Sequence, residues 1–143
     1  MNRKRRAFSL VEVLIAVGIV ALGASLIVPV MKTNRDKASY KVSMMNLLEV
    51  GKAMEKNYLE RGAYPVFQSW EEISSEESPL LEYVNDIPKT DAWGRPYRIV
   101  ESTPTNYVFE GLSLNSQKFQ EEHPDYQCVN GPKIKNKKAG AKD

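Results

Sequence analysis

One cysteine and one histidine are all that this 143-residue chain offers toward thiol or imidazole chemistry. Cys128 has no second cysteine to meet, so no disulfide braces the fold from within. A free cysteine behaves as a small apolar residue, and burial is its expected fate. His123 stands five residues before Cys128, but their spacing fits no metal motif and no third residue is in evidence to orient a catalytic pair. A surface histidine is expected. Phosphate-cradling glycine loops and nucleophile elbows are also missing. Glu71, Glu72, Glu76 and Glu77 put carboxylates side by side, but the run reads as a solvated face. The chain is therefore not expected to be an enzyme. With 20 Lys and Arg against 18 Asp and Glu, it has no strongly basic domain, and no nucleic-acid partner is expected.

What the chain does have is one long apolar run, Phe8 to Met31, broken by a single charge, Glu12. Arg3, Lys4, Arg5 and Arg6 stand directly before it. Two dozen helical residues span roughly 36 Å, enough to cross a hydrocarbon core of ~30 Å. The basic cluster would remain on the cytoplasmic side. At the centre of a membrane helix a carboxylate costs about 2.5–3.5 kcal/mol, and less near an end, where it can snorkel. Glu12 lies near an end, so it is either a tolerated interface charge or a group whose partner arrives later. Three explanations of the run compete: a secretory signal cut after it, a plain signal anchor, and a leader cut before it, between Ala7 and Phe8. Against the first stand the length of the run, the charge of Glu12 and the poor small-residue site at Leu22-Gly23-Ala24.

Past Met31 the composition turns polar, yet helical periodicity continues. Tyr40, Met44, Leu47, Gly51, Met54 and Tyr58 recur at spacings of four and three, with Leu48 and Val50 widening the stripe. The stripe predicts a seam against the chain's own C-terminal domain. Gly62 as a cap, followed by Pro65, predicts the end of the helix near Arg61. Pro29 removes one helical hydrogen bond and should kink or loosen the helix there. Ala16, Gly18, Ala21, Gly23 and Ala24 would allow close approach of other helices.

The remainder is enough for one small domain. A short helix is expected around Ser78–Val84, with Ser78 as cap and Pro79 in first position. Tyr97–Val100 and Tyr107–Leu112 read as a hairpin around Ser102–Thr105, and Tyr126–Val129 as a last short strand. Asp91 and Gly94 are turn formers, Pro96 does no harm where a strand begins, and Trp93 reads as a core aromatic beside the turn. The lysines after Gly131 read as a flexible basic tail. The expected segments are 1–7, 8–31, 32–62, a head over 63–130, and the tail, 131–143.

Arg5-Arg6-Ala7-Phe8-Ser9-Leu10-Val11-Glu12-Val13 resembles the prepilin cleavage motif of type IV pilins and type II secretion pseudopilins. In that family a basic leader is cut before a Phe, whose new amino group is N-methylated; a Glu follows four residues later and a Pro about three turns beyond. Phe8, Glu12 and Pro29 stand at those places, while Ala7 departs from the family's Gly. Asp91-Ala92-Trp93-Gly94-Arg95-Pro96-Tyr97 resembles the Asp-Pro-Trp-Gly-x-Pro-Tyr signature of major pseudopilins, with Ala92 in place of Pro. Arg61-Gly62-Ala63-Tyr64-Pro65 is similar to the family's helix exit. The resemblance covers roughly Arg3 to Leu114 and is dense in those three places.

The resemblance implies an α+β pilin-like fold: one long N-terminal helix whose first half spans the membrane and whose second half packs on a small antiparallel sheet. It implies a single-pass inner-membrane protein with a periplasmic head, cut by prepilin peptidase, N-methylated at Phe8, and raised from lipid by an inner-membrane assembly platform into a homo-oligomeric filament that drives type II secretion. Within that filament Glu12 would pair with the Phe8 amino group of a neighbouring copy. Removing Met1–Ala7 takes away four of the 20 basic residues, leaving 16 against 18 acidic ones. Two rivals remain: a surface pilin for adhesion, motility or DNA uptake, and a signal-anchored periplasmic binding or enzymatic domain. Major pseudopilins usually carry a Ca²⁺ loop after the hairpin. Here that stretch is Ser113 to Glu122; Asn115, Glu121, Glu122 and Asp125 fit no known loop spacing, so no cofactor or metal is expected.

If the scissile bond joins Ala7 to Phe8, Ala7→Gly should speed leader removal in a precursor-to-mature gel-shift time course. An unchanged rate would place the cut elsewhere.

Overall fold

A computed structural model describes residues 7–137. The chain divides into two compact units, Met1–Asp36 and Lys37–Asp143. Helix α1, Leu10–Arg61, contributes residues to both. Most of the expected leader, 1–6, and the last residues, 138–143, lie outside the described residues.

The first unit is helical from Leu10 onward, and an 18-residue window of it has a mean hydropathy of 2.7 with no burial. By length and composition it can cross a membrane. Helix α1 runs through Pro29 without a break. Pro29 has no N–H for the Ser25 carbonyl. Two nearby hydroxyls bond other carbonyls of the helix: Ser25 Oγ donates to Leu22 O at 2.8 Å and Thr33 Oγ1 to Pro29 O at 3.1 Å. Whatever Pro29 does to the helix axis, it does not interrupt the helix.

The second unit begins with the amphipathic part of α1. Its buried stripe is Tyr40, Ser43, Leu47, Val50, Gly51, Ala53, Met54 and Asn57. Met44 and Leu48 are half-buried, and Tyr58 is exposed. The seam thus includes two polar residues, Ser43 and Asn57, that an apolar template passes over. Helix α1 ends after Arg61, where Gly62 takes φ +75° and its N–H donates to Tyr58 O at 2.8 Å.

Two short elements follow. Helix α2, Trp70–Ile73, is capped by Ser69, whose Oγ accepts the Glu72 N–H. A 3₁₀ turn covers Pro79–Glu82; Pro79 holds the expected first position, but the buried Ser78 hydroxyl makes no cap bond.

Strands β1 (Arg98–Ser102), β2 (Tyr107–Gly111), β3 (Tyr126–Val129) and β4 (Lys133–Asn136) form one antiparallel sheet in that order. Helix α3, Gln117–Glu122, lies between β2 and β3 in sequence, where the sequence pattern predicts no element. The register pairs Phe109 with Ile99 and Cys128, and Cys128 with Ile134. Tyr107, Phe109, Tyr126 and Cys128 are fully buried and meet Leu47, Val50 and Met54 in one core.

Strand β4 corrects the tail. Lys133–Asn136 is not a loose basic extension but an edge strand, so the head runs past 130. Ile134 is the reason, since it packs against the core while the flanking lysines stay exposed. Lys137 then anchors the strand's end: its N–H donates to Asp125 O at 2.7 Å and its Nζ reaches Glu110 at 3.3 Å. Glu110, nearly fully buried, also receives Arg98 Nη1 at 3.3 Å and Gln127 Nε2 at 3.0 Å. Three donors on one buried carboxylate offset its loss of water.

Gly111 is where this packing is tightest. A Cβ there would overlap the ring of Tyr126, which has no free space in which to move aside. Gly111→Ala should cost about 1–3 kcal/mol, visible as a lowered midpoint in thermal unfolding of the full chain in detergent; an unchanged midpoint would contradict the close contact.

Candidate functional site

Two places carry the residues singled out from sequence. The first is the start of α1. Ser9 precedes the helix, and Glu12 sits three residues on. The Ser9 N–H donates to Glu12 Oε2 at 3.1 Å, and the Glu12 N–H donates to Ser9 Oγ at 3.2 Å. This is a reciprocal capping box. It is legible as Ser-x-x-Glu at the start of an apolar run, but from sequence Glu12 reads as an interface charge or as a group whose partner arrives later, not as a cap. The cap places the carboxylate at the positive end of the helix dipole. One carboxylate oxygen serves the cap; among the described residues the other, Oε1, takes no hydrogen bond. Ala7 and Phe8 are exposed, Phe8 at 82%. The peptide bond between them is therefore open to a second protein.

The second place is the turn at Asp91, held wholly within the head unit. Asp91 Oδ1 accepts the N–H groups of Trp93 and Arg95, both at 2.9 Å. The Asp91 N–H donates to Arg95 O at 2.7 Å, and the Gly94 N–H to Asp91 O at 3.1 Å. Gly94 takes φ +80°, a conformation that side-chain-bearing residues rarely adopt. This closed turn is fastened to α1 through Ser43. The Ala92 N–H donates to Ser43 Oγ at 2.9 Å, and Tyr97 Oη donates to Ser43 O at 2.7 Å. Burial pushes the Tyr97 hydroxyl pKa well above its ordinary value, so it remains a donor at neutral pH. Trp93 is half-buried, edge-on to Phe119, with the Arg95 guanidinium over its ring at 5.1 Å from the centroid. Pro96 is exposed, two residues ahead of β1. Of the motif residues, Asp91, Gly94 and Tyr97 therefore lock the turn to the helix. Arg95, not singled out beforehand, joins it to the loop after β2.

The candidate Cys/His pair falls apart. Cys128 is buried under Gly51 and Tyr107, and burial pushes its thiol pKa up to about 12. A thiol so placed is inert at neutral pH. His123 packs elsewhere, stacked on Phe119 and edge-on to Tyr40. It is half-buried rather than a surface residue, because α3 folds this stretch back onto the aromatic cluster.

The loop after β2 stands where the resembled family usually carries a Ca²⁺ loop, and the oxygens here are engaged within the chain. The carbonyls of Leu112 and Ser113 accept from Arg95 at 2.7 and 2.8 Å. Asp125 Oδ1 accepts the Ser113 N–H at 2.6 Å. Among the described residues no three His, Cys, Asp or Glu side chains gather in a way that would hold a metal, whereas Ca²⁺ takes about six to eight oxygens.

Comparison with known proteins agrees with the first place. A family model described as a prokaryotic N-terminal methylation motif matches residues 2–28. The chain is similar to proteins named type II secretion system core protein G from several bacteria. That of Aeromonas hydrophila is 25% identical over 108 residues, 69% of this chain and 75% of the relative. That of Escherichia coli is 28% identical over 107 residues, 68% and 72%. That of Pseudomonas aeruginosa is 27% identical over 124 residues, 80% and 86%. No solved structure matches the chain at the same level of significance.

Proposed function

We propose, taking as premise that this chain is a type IV pilin-like protein of the major pseudopilin kind, that it is the repeating subunit of the filament that drives type II secretion. Prepilin peptidase processes it. The role is structural, without a catalytic centre or a resident cofactor.

The observation that carries this reading is the apolar dress of α1's first half. Twelve large apolar side chains between Phe8 and Met31 are exposed among those described. At about 1.5 kcal/mol each, leaving them in water would cost roughly 18 kcal/mol, more than the ~5–15 kcal/mol that a small domain has in hand. They need lipid first and other apolar helices later. The chain starts as a single-pass inner-membrane protein with its head in the periplasm. An assembly platform then lifts it from the bilayer, and copies of the same segment replace lipid as solvent. The small residues Ala16, Gly18, Ala21, Gly23 and Ala24 let those helices approach.

Glu12 sets the register in this reading. Cleavage between Ala7 and Phe8 creates an amino group at Phe8, which is then methylated. In the filament that cation meets Glu12 of a neighbouring copy, at the oxygen the cap does not use. Mispairing by one step would leave a carboxylate and an ammonium apart in an apolar interior, costing about 3–5 kcal/mol.

Glu12→Gln separates the pairing from the cap, because Gln serves equally in a capping box but carries no charge. The variant should be processed and inserted normally, while the yield of sheared filaments falls at least about tenfold, as a loss of more than ~1.4 kcal/mol per contact requires. Ser9→Ala, which loses the cap and keeps the charge, should still assemble. Full-length filaments from Glu12→Gln would overturn the pairing.

A further inference from the structure

The loop after β2 is closed by a cation that belongs to the chain. Arg95 Nη2 donates to Leu112 O at 2.7 Å and Nη1 to Ser113 O at 2.8 Å. On its other edge Nε donates to Asp91 Oδ2 at 3.0 Å, with Nη2 2.9 Å from the same oxygen. The Asp91 side chain is only 3% exposed, and its other oxygen is filled by two backbone N–H groups. The guanidinium lies over the Trp93 ring, 5.1 Å from its centroid. Thus one side chain joins a buried carboxylate to two loop carbonyls that point the same way.

We propose that Arg95 is the built-in cation of this head, closing the loop between β2 and α3 so that the fold needs no divalent metal. The chemistry supports the assignment in three ways. Two converging carbonyls and a buried carboxylate make a negative pocket, which demands positive charge. A guanidinium offers five N–H donors in a rigid fork and holds its charge at every accessible pH. It also excludes a competitor: a divalent ion at the same carbonyls would sit against a fixed positive charge and find too few oxygens. The carboxylate nearest to joining such a set, Asp125, is engaged elsewhere, accepting the Ser113 N–H. Arg95 is a positioning residue. It fixes Leu112 and Ser113, and through them the chain entering α3, whose Phe119 packs on Trp93 and Tyr40. The proposal does not depend on the filament reading, and either can fail alone.

The test follows thermal unfolding of the full-length chain in detergent by tryptophan fluorescence, which Trp93 makes sensitive to this site. Wild-type protein should melt within about 1 °C of the same midpoint in millimolar CaCl₂ and in EGTA. A head that used a calcium site would shift by roughly 10 °C or more at a hundred times its Kd. Arg95→Gln should melt at least about 4–8 °C lower, and Arg95→Lys between the two, since it keeps the charge but loses the fork. A wild-type midpoint raised by calcium, an Arg95→Gln midpoint equal to wild type, or an Arg95→Lys variant no better than Arg95→Gln would each overturn the proposal. Should Arg95→Gln fail to fold, the calcium and EGTA melts of the wild type still decide it.

Discussion

Apolar side chains all round a helix impose the constraint from which the rest follows. A helix with one apolar stripe can be satisfied by its own domain; one without a polar face cannot. Through its first half α1 has no polar face, and between Phe8 and Met31 it carries one ionisable group, Glu12, at the outermost turn. The capping box with Ser9 makes that charge tolerable where it stands, because the carboxylate completes two helix-end hydrogen bonds and faces the dipole's positive end. In the proposed filament the same placement leaves the charge beside the amino group that leader removal creates, within reach of a second copy.

The head solves a different problem, that of fastening a small sheet and long loops to a helix with few large residues to spare. It does so with polar bonds inside an aromatic core. Ser43 is the hinge of this arrangement: its hydroxyl and its carbonyl each take one donor from the Asp91 turn or from Tyr97. Tyr107 Oη likewise donates to Gly51 O at 3.2 Å, where the absence of a side chain lets Cys128 and the tyrosine close in on the helix. Buried hydroxyls that each find a carbonyl set position more narrowly than apolar packing alone, since a shifted helix would leave them unpaired. Glu110 and Asp91, both nearly free of solvent, extend the same logic to charges by gathering donors from several strands and turns.

The parts written in side-chain period and turn chemistry were legible in the sequence. The end of α1 at Gly62, the hairpin of β1 and β2, and β3 at Tyr126–Val129 lie where Gly, Pro and alternation put them. What escaped depended on partners far away in sequence. Ser43 and Asn57 look like interruptions of an apolar stripe until the Asp91 turn and the rest of the core are in place. Strand β4 hides among lysines because one Ile134 carries its burial. Helix α3 is six residues long, too short for periodicity to declare. At the candidate site the motif spacing singled out Phe8, Glu12 and the Asp91 turn. The role of Arg95 stayed hidden, since it rests on carbonyls 17 and 18 residues further along. No pattern of side chains encodes a backbone carbonyl.

The central claim is that the apolar helix begins, in the working protein, at a free amino group on Phe8. Mass spectrometry of the intact chain recovered from the membrane and from filaments measures this directly. The account predicts one species lacking Met1–Ala7 and carrying one methyl group on the Phe8 nitrogen. A chain that keeps its first seven residues, or one trimmed past Ala24 and found free of the membrane, would contradict it.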